Sequence, residues 1–178
     1  MSYYERHLPH WQPEGASLFI TWRLHGSTPV NSSLIASDGK KFRDYDQTLI
    51  ATATGPTWLE DERVAGVVAA ALKVCDDGLK LYRLRAWVLL INHVHILIEP
   101  NAPLAAITRR VKGFTARKAN AILHRQGKQF WQTESYDHWI RNEKEANQVI
   151  RYIENNPVAA GLVDKPEDWP WSSAWSAK

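Results

Sequence analysis

The stretch of sequence that decides the fold is residues 87–100, which read WVLLINHVHILIEP. It is apolar on both sides, rich in β-branched residues and ended by Pro100, a pattern typical of one buried strand or of two strands that meet near Ile91 and Asn92. Side chains alternate between the faces of a strand, so His93 and His95 point to the same side. The sequence therefore predicts two imidazoles fixed on one face of a sheet.

The paired histidines have two interpretations. They are either hydrogen-bonded core residues or part of a metal site. Two imidazoles do not complete a metal site, because an ion that acts on a substrate needs a further protein ligand and open coordination positions. The lone Cys75 excludes an internal disulfide and leaves no thiolate pair to bind a metal. A third ligand must therefore come from elsewhere in the chain.

Size and composition favour one ordinary domain. With 178 residues, 44% of them hydrophobic, the chain can build one core. We expect a single domain over residues 1–178, with an extended lead-in at 1–14, a long insertion at 26–57 and a tail at 161–178. The apolar runs are too short to span a bilayer, and the first residues contain no signal core. Together with the single cysteine, this predicts a cytoplasmic protein without a membrane partner.

The order of the predicted elements indicates an α+β fold. Strands are expected at 16–25, 79–90, 93–100 and 136–140, and helices at 58–75, 104–124 and 143–155. Thr57 and Asn142 are the expected N-caps, and Pro157 is expected to close the last helix. The order β, α, β, β, α, β predicts a ferredoxin-like sandwich, an antiparallel sheet with helices on one face, followed by a C-terminal helix. The other face of such a sheet is often free for nucleic acid.

The helix at 104–124 is strongly basic. Residues 101–128 contain seven Lys and Arg residues and no Asp or Glu, although the whole chain carries a net charge of only +3. A face that serves solubility alone usually mixes both signs, so a helix of one sign favours a polyanionic partner. The candidate phosphate contacts are Arg109, Arg110, Lys112, Arg117 and Lys118.

Tyr152 and Asn156 lie one helical turn apart on the last predicted helix. Asn156 offers a hard oxygen ligand, and a tyrosine beside a cation and a basic helix is a plausible nucleophile towards phosphate, giving a covalent phosphotyrosine. Either residue alone is more typical of an ordinary helix surface or helix end. Tyr136 is the rival nucleophile, but Tyr152 is preferred because it alone has a ligand-type side chain one turn away.

The motifs, taken in order, resemble the REP-associated tyrosine transposases, single-tyrosine members of the HUH transposases of small insertion sequences. The resemblance rests on NHVHIL at 92–97, KGFTA at 112–116, FWQ at 130–132, YDH at 136–138, YIENNPVAAGLV at 152–163 and WPWSS at 169–173. One departure is Ile91, where the family commonly has proline. The resemblance is weakest at residues 26–60.

This resemblance implies a ferredoxin-like endonuclease and strand transferase that acts on single-stranded DNA at hairpin-forming palindromic repeats. His93 and His95 would bind Mg²⁺ or Mn²⁺, Asn156 would complete the metal site, and Tyr152 would form a 5′-phosphotyrosine. The implied partner is single-stranded or hairpin DNA, bound by a monomer or a homodimer. Residues expected to support the site are Tyr136, Asp137, His138 and Gln148.

Two other classes of function are weighed against this one. The first is a domesticated module that binds hairpin DNA or RNA without cutting it. The second is a histidine-triad nucleotide hydrolase, but that chemistry needs another histidine where Leu97 stands. The intact set of ligands and the tyrosine favour the nuclease.

Overall fold

The computed structural model describes residues 2–5, 9–12, 15–27 and 55–176, the first two ranges by their backbone only. Most of the predicted insertion at 26–57 lies outside these residues. In the lead-in, strand β1 (Ser2–Glu5) pairs antiparallel with strand β2 (Pro9–Gln12). We predicted an extended segment without an element of its own, and the structure corrects this to a two-stranded hairpin.

The centre of the structure is a four-stranded antiparallel sheet. Its strands are β3 (Leu18–Arg23), β4 (Tyr82–Leu89), β5 (His93–Pro100) and β6 (Tyr136–Trp139), in the spatial order β4-β5-β3-β6. Helices α1 (Glu62–Lys73) and α2 (Leu104–Ile122) connect β3 to β4 and β5 to β6. This order is that of a ferredoxin-like sandwich, as predicted.

Both faces of the sheet are covered. Helices α1 and α2 pack through residues such as Leu72 and Ile107 against Ile96 on one face. Helix α3 (Glu143–Ala159) packs through Val149 and Ile153 on the opposite face. The two connecting helices lie on one face, as predicted, but the first strand, which we expected to be half-buried, is buried at every residue. The opposite face carries apolar residues of its own, so a helix covers it.

Helix α1 begins later than predicted. Residues Trp58–Glu60 form a separate 3-10 turn, and Thr57 makes no side-chain capping hydrogen bond. The N-cap is Asp61, whose carboxylate accepts a hydrogen bond of 3.0 Å from the backbone N–H of Arg63. The carboxylate of Asp61, four residues after Thr57, is the group that satisfies a helix donor. A π-helical turn, Val74–Gly78, follows α1.

Helix α3 starts as predicted and ends later. Asn142 caps it, accepting a hydrogen bond of 2.9 Å from the backbone of Glu145. Pro157 lies inside the helix rather than closing it, and the end comes at a Schellman turn in which Gly161 has φ +69 and Leu162 N–H donates to the carbonyl of Pro157. The glycine can adopt the left-handed conformation that ends the helix.

The tail lies along the free edge of β4. The backbone N–H of Leu89 donates to the carbonyl of Trp171 at 2.8 Å, and that of Ser173 donates to Trp87 at 2.9 Å. Trp169 adds an indole hydrogen bond of 2.8 Å to the carbonyl of Leu89. The tail thus covers an edge that would otherwise expose unpaired backbone groups. Nowhere in the described ranges is there a helix long and apolar enough to cross a membrane.

Candidate active site

The two histidines lie side by side at the start of β5. Both are buried, at 1% and 0% exposure, and their ring centroids are 4.7 Å apart at an interplanar angle of 81°. In the sheet they stand opposite Arg23 and Thr21 of β3. The prediction that both imidazoles share one face is confirmed.

Hydrogen bonds to Nδ1 orient both rings. Nδ1 of His93 lies 2.6 Å from Oδ1 of Asn92, and Nδ1 of His95 lies 2.7 Å from Oγ1 of Thr21. An amide oxygen only accepts, so Nδ1 of His93 is the protonated nitrogen and donates to it. A guanidinium nitrogen of Arg23 lies farther from the same Nδ1, at 3.4 Å, and the shorter contact decides the tautomer. The Thr21 hydroxyl can accept from Nδ1 of His95, and in the tautomer where it does so both Nε2 atoms carry lone pairs suited to a metal.

Helix α3 brings Tyr152 to these histidines. The ring of Tyr152 is 5.6 Å from that of His95 and 6.0 Å from that of Phe19, centroid to centroid. Phe19 also stacks on His95, with centroids 5.6 Å apart. Tyr152 is half-buried, so its ring is held by packing. Helix α3 packs on the sheet through Ala146, Val149 and Ile153, which all belong to the core cluster on this face. This packing positions Tyr152.

Asn156 lies one turn beyond Tyr152 and is buried, with 2% of its surface exposed. Its Oδ1 atom is buried and has no hydrogen-bond partner among the described residues. A buried carbonyl oxygen without a partner lowers the stability of a fold by about 1–3 kcal/mol. A hard cation is the natural partner for an amide oxygen, so the donor set of two imidazoles and one carboxamide fits a divalent ion. Within the described ranges there is no cluster of three His, Cys, Asp or Glu side chains, so an ion here would need the amide.

The rival residues on β6 have different surroundings. The ring of Tyr136 is 6.3 Å from that of Phe19, but its hydroxyl is buried. His138 hydrogen-bonds through Nε2 to Glu145 of α3 at 2.9 Å. Asp137 lines a surface groove that Arg109 also lines. Gln148, one turn before Tyr152, is exposed.

Ion pairs and hydrogen bonds fix α3 to the sheet and the tail. Arg85 of β4 pairs with Glu143, and Ser173 donates a hydrogen bond of 3.2 Å to Glu154. The hydrogen bond from Arg85 lowers the pKa of Glu143. Burial alone would raise the pKa of Glu145, but hydrogen bonds from the Arg141 backbone and from His138 outweigh it and lower that pKa. The helix that carries Tyr152 is therefore anchored at its start and near its end.

Residues 61–156, more than half of the chain, match the family model described as "Transposase IS200 like". The chain belongs to the IS200-like transposase family. Two curated relatives of the chain are a REP-associated tyrosine transposase of Escherichia coli K12, 32% identical over 108 residues, and a putative one of Haemophilus influenzae, 42% identical over 43 residues. These matches cover 58% and 24% of the chain. They bear out the resemblance predicted from the motifs.

The chain spans only part of these relatives, 60% of the E. coli protein and 24% of the H. influenzae protein. A solved structure described as a REP-associated tyrosine transposase bound to a REP hairpin matches all of this chain and 93% of its own, with a TM-score of 0.56 and 21% identity. That likeness confirms the fold.

Sequence reasoning missed the contribution of β3 to the candidate site. Phe19, Thr21 and Arg23 lie on the face opposite Leu18 and Ile20, and all three contact the histidines. Arg23 is a buried cation beside His93, with 6% of its surface exposed. The available signal was the alternation of the strand, which puts a threonine and an arginine on the same side as Phe19.

Most of the charged side chains of the basic helix α2 are exposed to solvent. Arg109, Arg110, Arg117 and Lys118 are exposed. Lys112 differs, because its ammonium donates to the carbonyl of Thr133 at 3.0 Å and to Oγ of Ser135 at 3.1 Å. The four exposed residues are therefore the better candidates for phosphate contacts.

Proposed function

We propose that this transposase is a single-stranded DNA endonuclease and strand transferase whose nucleophile is Tyr152. The observation that carries the proposal is the distance of 5.6 Å between the ring centroids of Tyr152 and His95. A tyrosine beside two oriented imidazoles, with an unsatisfied carboxamide one turn away, has the parts needed for phosphoryl transfer. The buried hydroxyl of Tyr136 supports Tyr152 as the nucleophile, because a buried oxygen cannot reach a DNA phosphate.

In the proposed reaction, the phenolate oxygen of Tyr152 attacks a backbone phosphorus in line with the bond to the 3′-oxygen. The bond from phosphorus to that 3′-oxygen breaks, the oxygen leaves and takes a proton, and the 5′-phosphate remains on the tyrosine. In the reverse sense, a 3′-hydroxyl attacks the phosphotyrosine and the phenolate leaves. One phosphate ester replaces another in each step, so the strand can be rejoined without an external energy source.

The residues proposed to hold Mg²⁺ or Mn²⁺ are His93 and His95 through Nε2 and Asn156 through Oδ1. When bound, such an ion polarises the phosphoryl oxygens and offsets the charge of the attacking phenolate. Asn92 and Thr21 hold the imidazoles in the tautomer that offers Nε2. Arg23 adds a buried positive charge next to His93, suited to a phosphate oxygen.

We propose hairpin-forming repeat DNA with a single-stranded flank as the substrate. The support is the curated relatives' names, the hairpin bound to the relative of the same fold, and the exposed basic residues Arg109, Arg110, Arg117 and Lys118 on α2. Tyr152 and the histidines come from one chain, so a monomer is sufficient for this site. Tyr136, His138 and Gln148 are proposed to support the site around α3.

The test is a cleavage assay on a labelled hairpin oligonucleotide with a single-stranded flank and Mn²⁺. We expect a covalent protein–DNA product that disappears in Tyr152→Phe and persists in Tyr136→Phe. An undiminished product from Tyr152→Phe would overturn the assignment. Salt-sensitive hairpin binding without any covalent product, whatever the metal, would instead indicate a binding module that does not cut.

A further inference from the structure

An exposed phenylalanine lies in a surface groove on helix α2. Phe114 has 40% of its surface exposed, although most other large apolar residues of the described chain are buried. It lines a groove of about 590 Å³ together with Leu79, which is 43% exposed, and Leu81. Burying this apolar surface would be favourable, so the groove is suited to a ligand with an apolar part.

The same groove is lined with positive charge. Arg109, Arg110 and Arg117 line it, and residues 110, 114 and 117 follow one another at helical spacing on one side of α2. None of these arginines forms an ion pair within the described part of the chain. The ammonium of Lys118 lies over the Phe114 ring, 6.0 Å from its centroid. That distance is at the outer limit of a cation–π contact and leaves room for a flat group on the ring.

We propose that this groove binds an unpaired nucleotide of the DNA substrate, with a base stacked on Phe114 and the adjacent phosphates on Arg110 and Arg117. The combination of an exposed aromatic ring and arginines is the one used to hold single strands without sequence preference. A duplex does not fit as well, because its base faces are already stacked on one another and only the edges are accessible. The proposal rests on the proposed function only in taking DNA as the ligand.

The groove lies far from the proposed chemistry in the fold. Helix α2 packs on the sheet face opposite the one that carries Tyr152. Arg109 also lines a second groove, which runs past Lys112 and Ser135 to Asp137 on the edge strand β6. Tyr136 of that strand contacts Phe19 of the active site. A strand held at Phe114 can thus reach the catalytic face around this edge, and we assign the groove to the flank of the substrate rather than to the cleaved phosphate.

The experiment measures binding by fluorescence anisotropy for two probes, a blunt-ended hairpin and the same hairpin with a single-stranded flank containing 2-aminopurine. For Phe114→Ala we expect at least about tenfold weaker binding of the flanked hairpin. Binding of the blunt hairpin should not change. Phe114→Trp should keep the binding and the quenching of 2-aminopurine. The slope of the logarithm of the binding constant against the logarithm of the salt concentration should become shallower by about one for the flanked probe in Arg110→Gln and in Arg117→Gln.

The controls are Val74→Ala, an apolar residue that is 54% exposed outside the groove, and the exposed Lys165→Gln. Equal affinity of Phe114→Ala and wild type for the flanked probe would overturn the proposal, and so would an equal loss for both probes. The covalent assay at saturating DNA separates this from the proposed function. If Phe114→Ala binds the flanked probe as tightly as the wild type and a Tyr152-dependent adduct still forms, only the groove proposal is rejected. If the flank contributes to binding through Phe114 but no adduct forms, only the proposed nuclease function is rejected.

Discussion

Nδ1 of His95 lies 2.7 Å from Oγ1 of Thr21 on the neighbouring strand. This hydrogen bond joins residues 74 positions apart and orients the ring next to Tyr152. In Thr21→Val the shape is kept and the hydrogen bond is lost. Because such supporting bonds set the tautomer and basicity of a metal ligand, we expect Mn²⁺ affinity to fall about 10–100-fold. Isothermal titration in a Tyr152→Phe background measures it.

Thr108→Val is the matched control for that measurement. Its hydroxyl bonds the backbone of its own helix at Leu104, at 2.9 Å, on α2. Its Mn²⁺ affinity should equal that of the parent. An unchanged affinity in Thr21→Val as well would show that the hydrogen bond does not support the metal ligand.

Asn156→Leu should separate stability from metal binding. The substitution removes a buried carbonyl oxygen that has no hydrogen-bond partner within the described chain. We therefore expect the metal-free protein to lose no stability, or to gain up to about 1 kcal/mol, while the rise in Tm on adding Mn²⁺ disappears. Thermal unfolding with and without Mn²⁺ measures both effects.

Asn120→Leu is the corresponding control on α2. The Asn120 amide donates a hydrogen bond of 2.7 Å to the carbonyl of Lys128, so its loss should cost about 1–3 kcal/mol and leave the Mn²⁺ response intact. A preserved Mn²⁺ response in Asn156→Leu would remove Asn156 from the ligand set.

The shared face of His93 and His95 and the one-turn spacing of Tyr152 and Asn156 could be predicted because each signal is local. Alternation in a strand and a spacing of four in a helix need no knowledge of the rest of the chain. Alternation in β3 puts Thr21 and Arg23 on one face, but their histidine partners could not be predicted, because these contacts join residues 74 and 70 positions apart. The prediction that Pro157 closes the last helix was wrong for a different reason. The helix continues past it because the Schellman turn at Gly161 satisfies the last carbonyls.

The anchoring of α3 should weaken in acid. The pKa of Glu145 is lowered from its usual 4.5, so the folded state favours the ionised carboxylate. Its contribution to stability is therefore complete above about pH 4.5 and is lost as the pH falls through the lowered folded-state value. When the pH is lowered from about 6 to about 3, the urea concentration at the unfolding midpoint should fall more steeply for the wild type than for Glu145→Gln. Lys144→Gln should keep the wild-type slope, and an equally steep fall in Glu145→Gln would reject this contribution.

Gly26 and Gly55 hold the two ends of the segment at 28–54 in backbone contact. A Cβ atom at Gly55 would lie 2.3 Å from the carbonyl oxygen of Gly26, and Gly55 has φ +110. Gly55→Ala should therefore cost about 2 kcal/mol or more. Gly127→Ala is the control, because Gly127 has φ +79 but open space around it, and it should cost about 1 kcal/mol. Equal losses in the two variants by urea unfolding would rule out the backbone clash.

The central claim is that Tyr152 forms the covalent bond to DNA. The most direct measurement is peptide mapping by mass spectrometry after incubation with a flanked hairpin oligonucleotide and Mn²⁺. We expect a nucleotide phosphate on the peptide that contains Tyr152, absent when the metal is chelated. A modified Tyr136 peptide, or a Tyr152 peptide that stays unmodified while the DNA is cut, would contradict it.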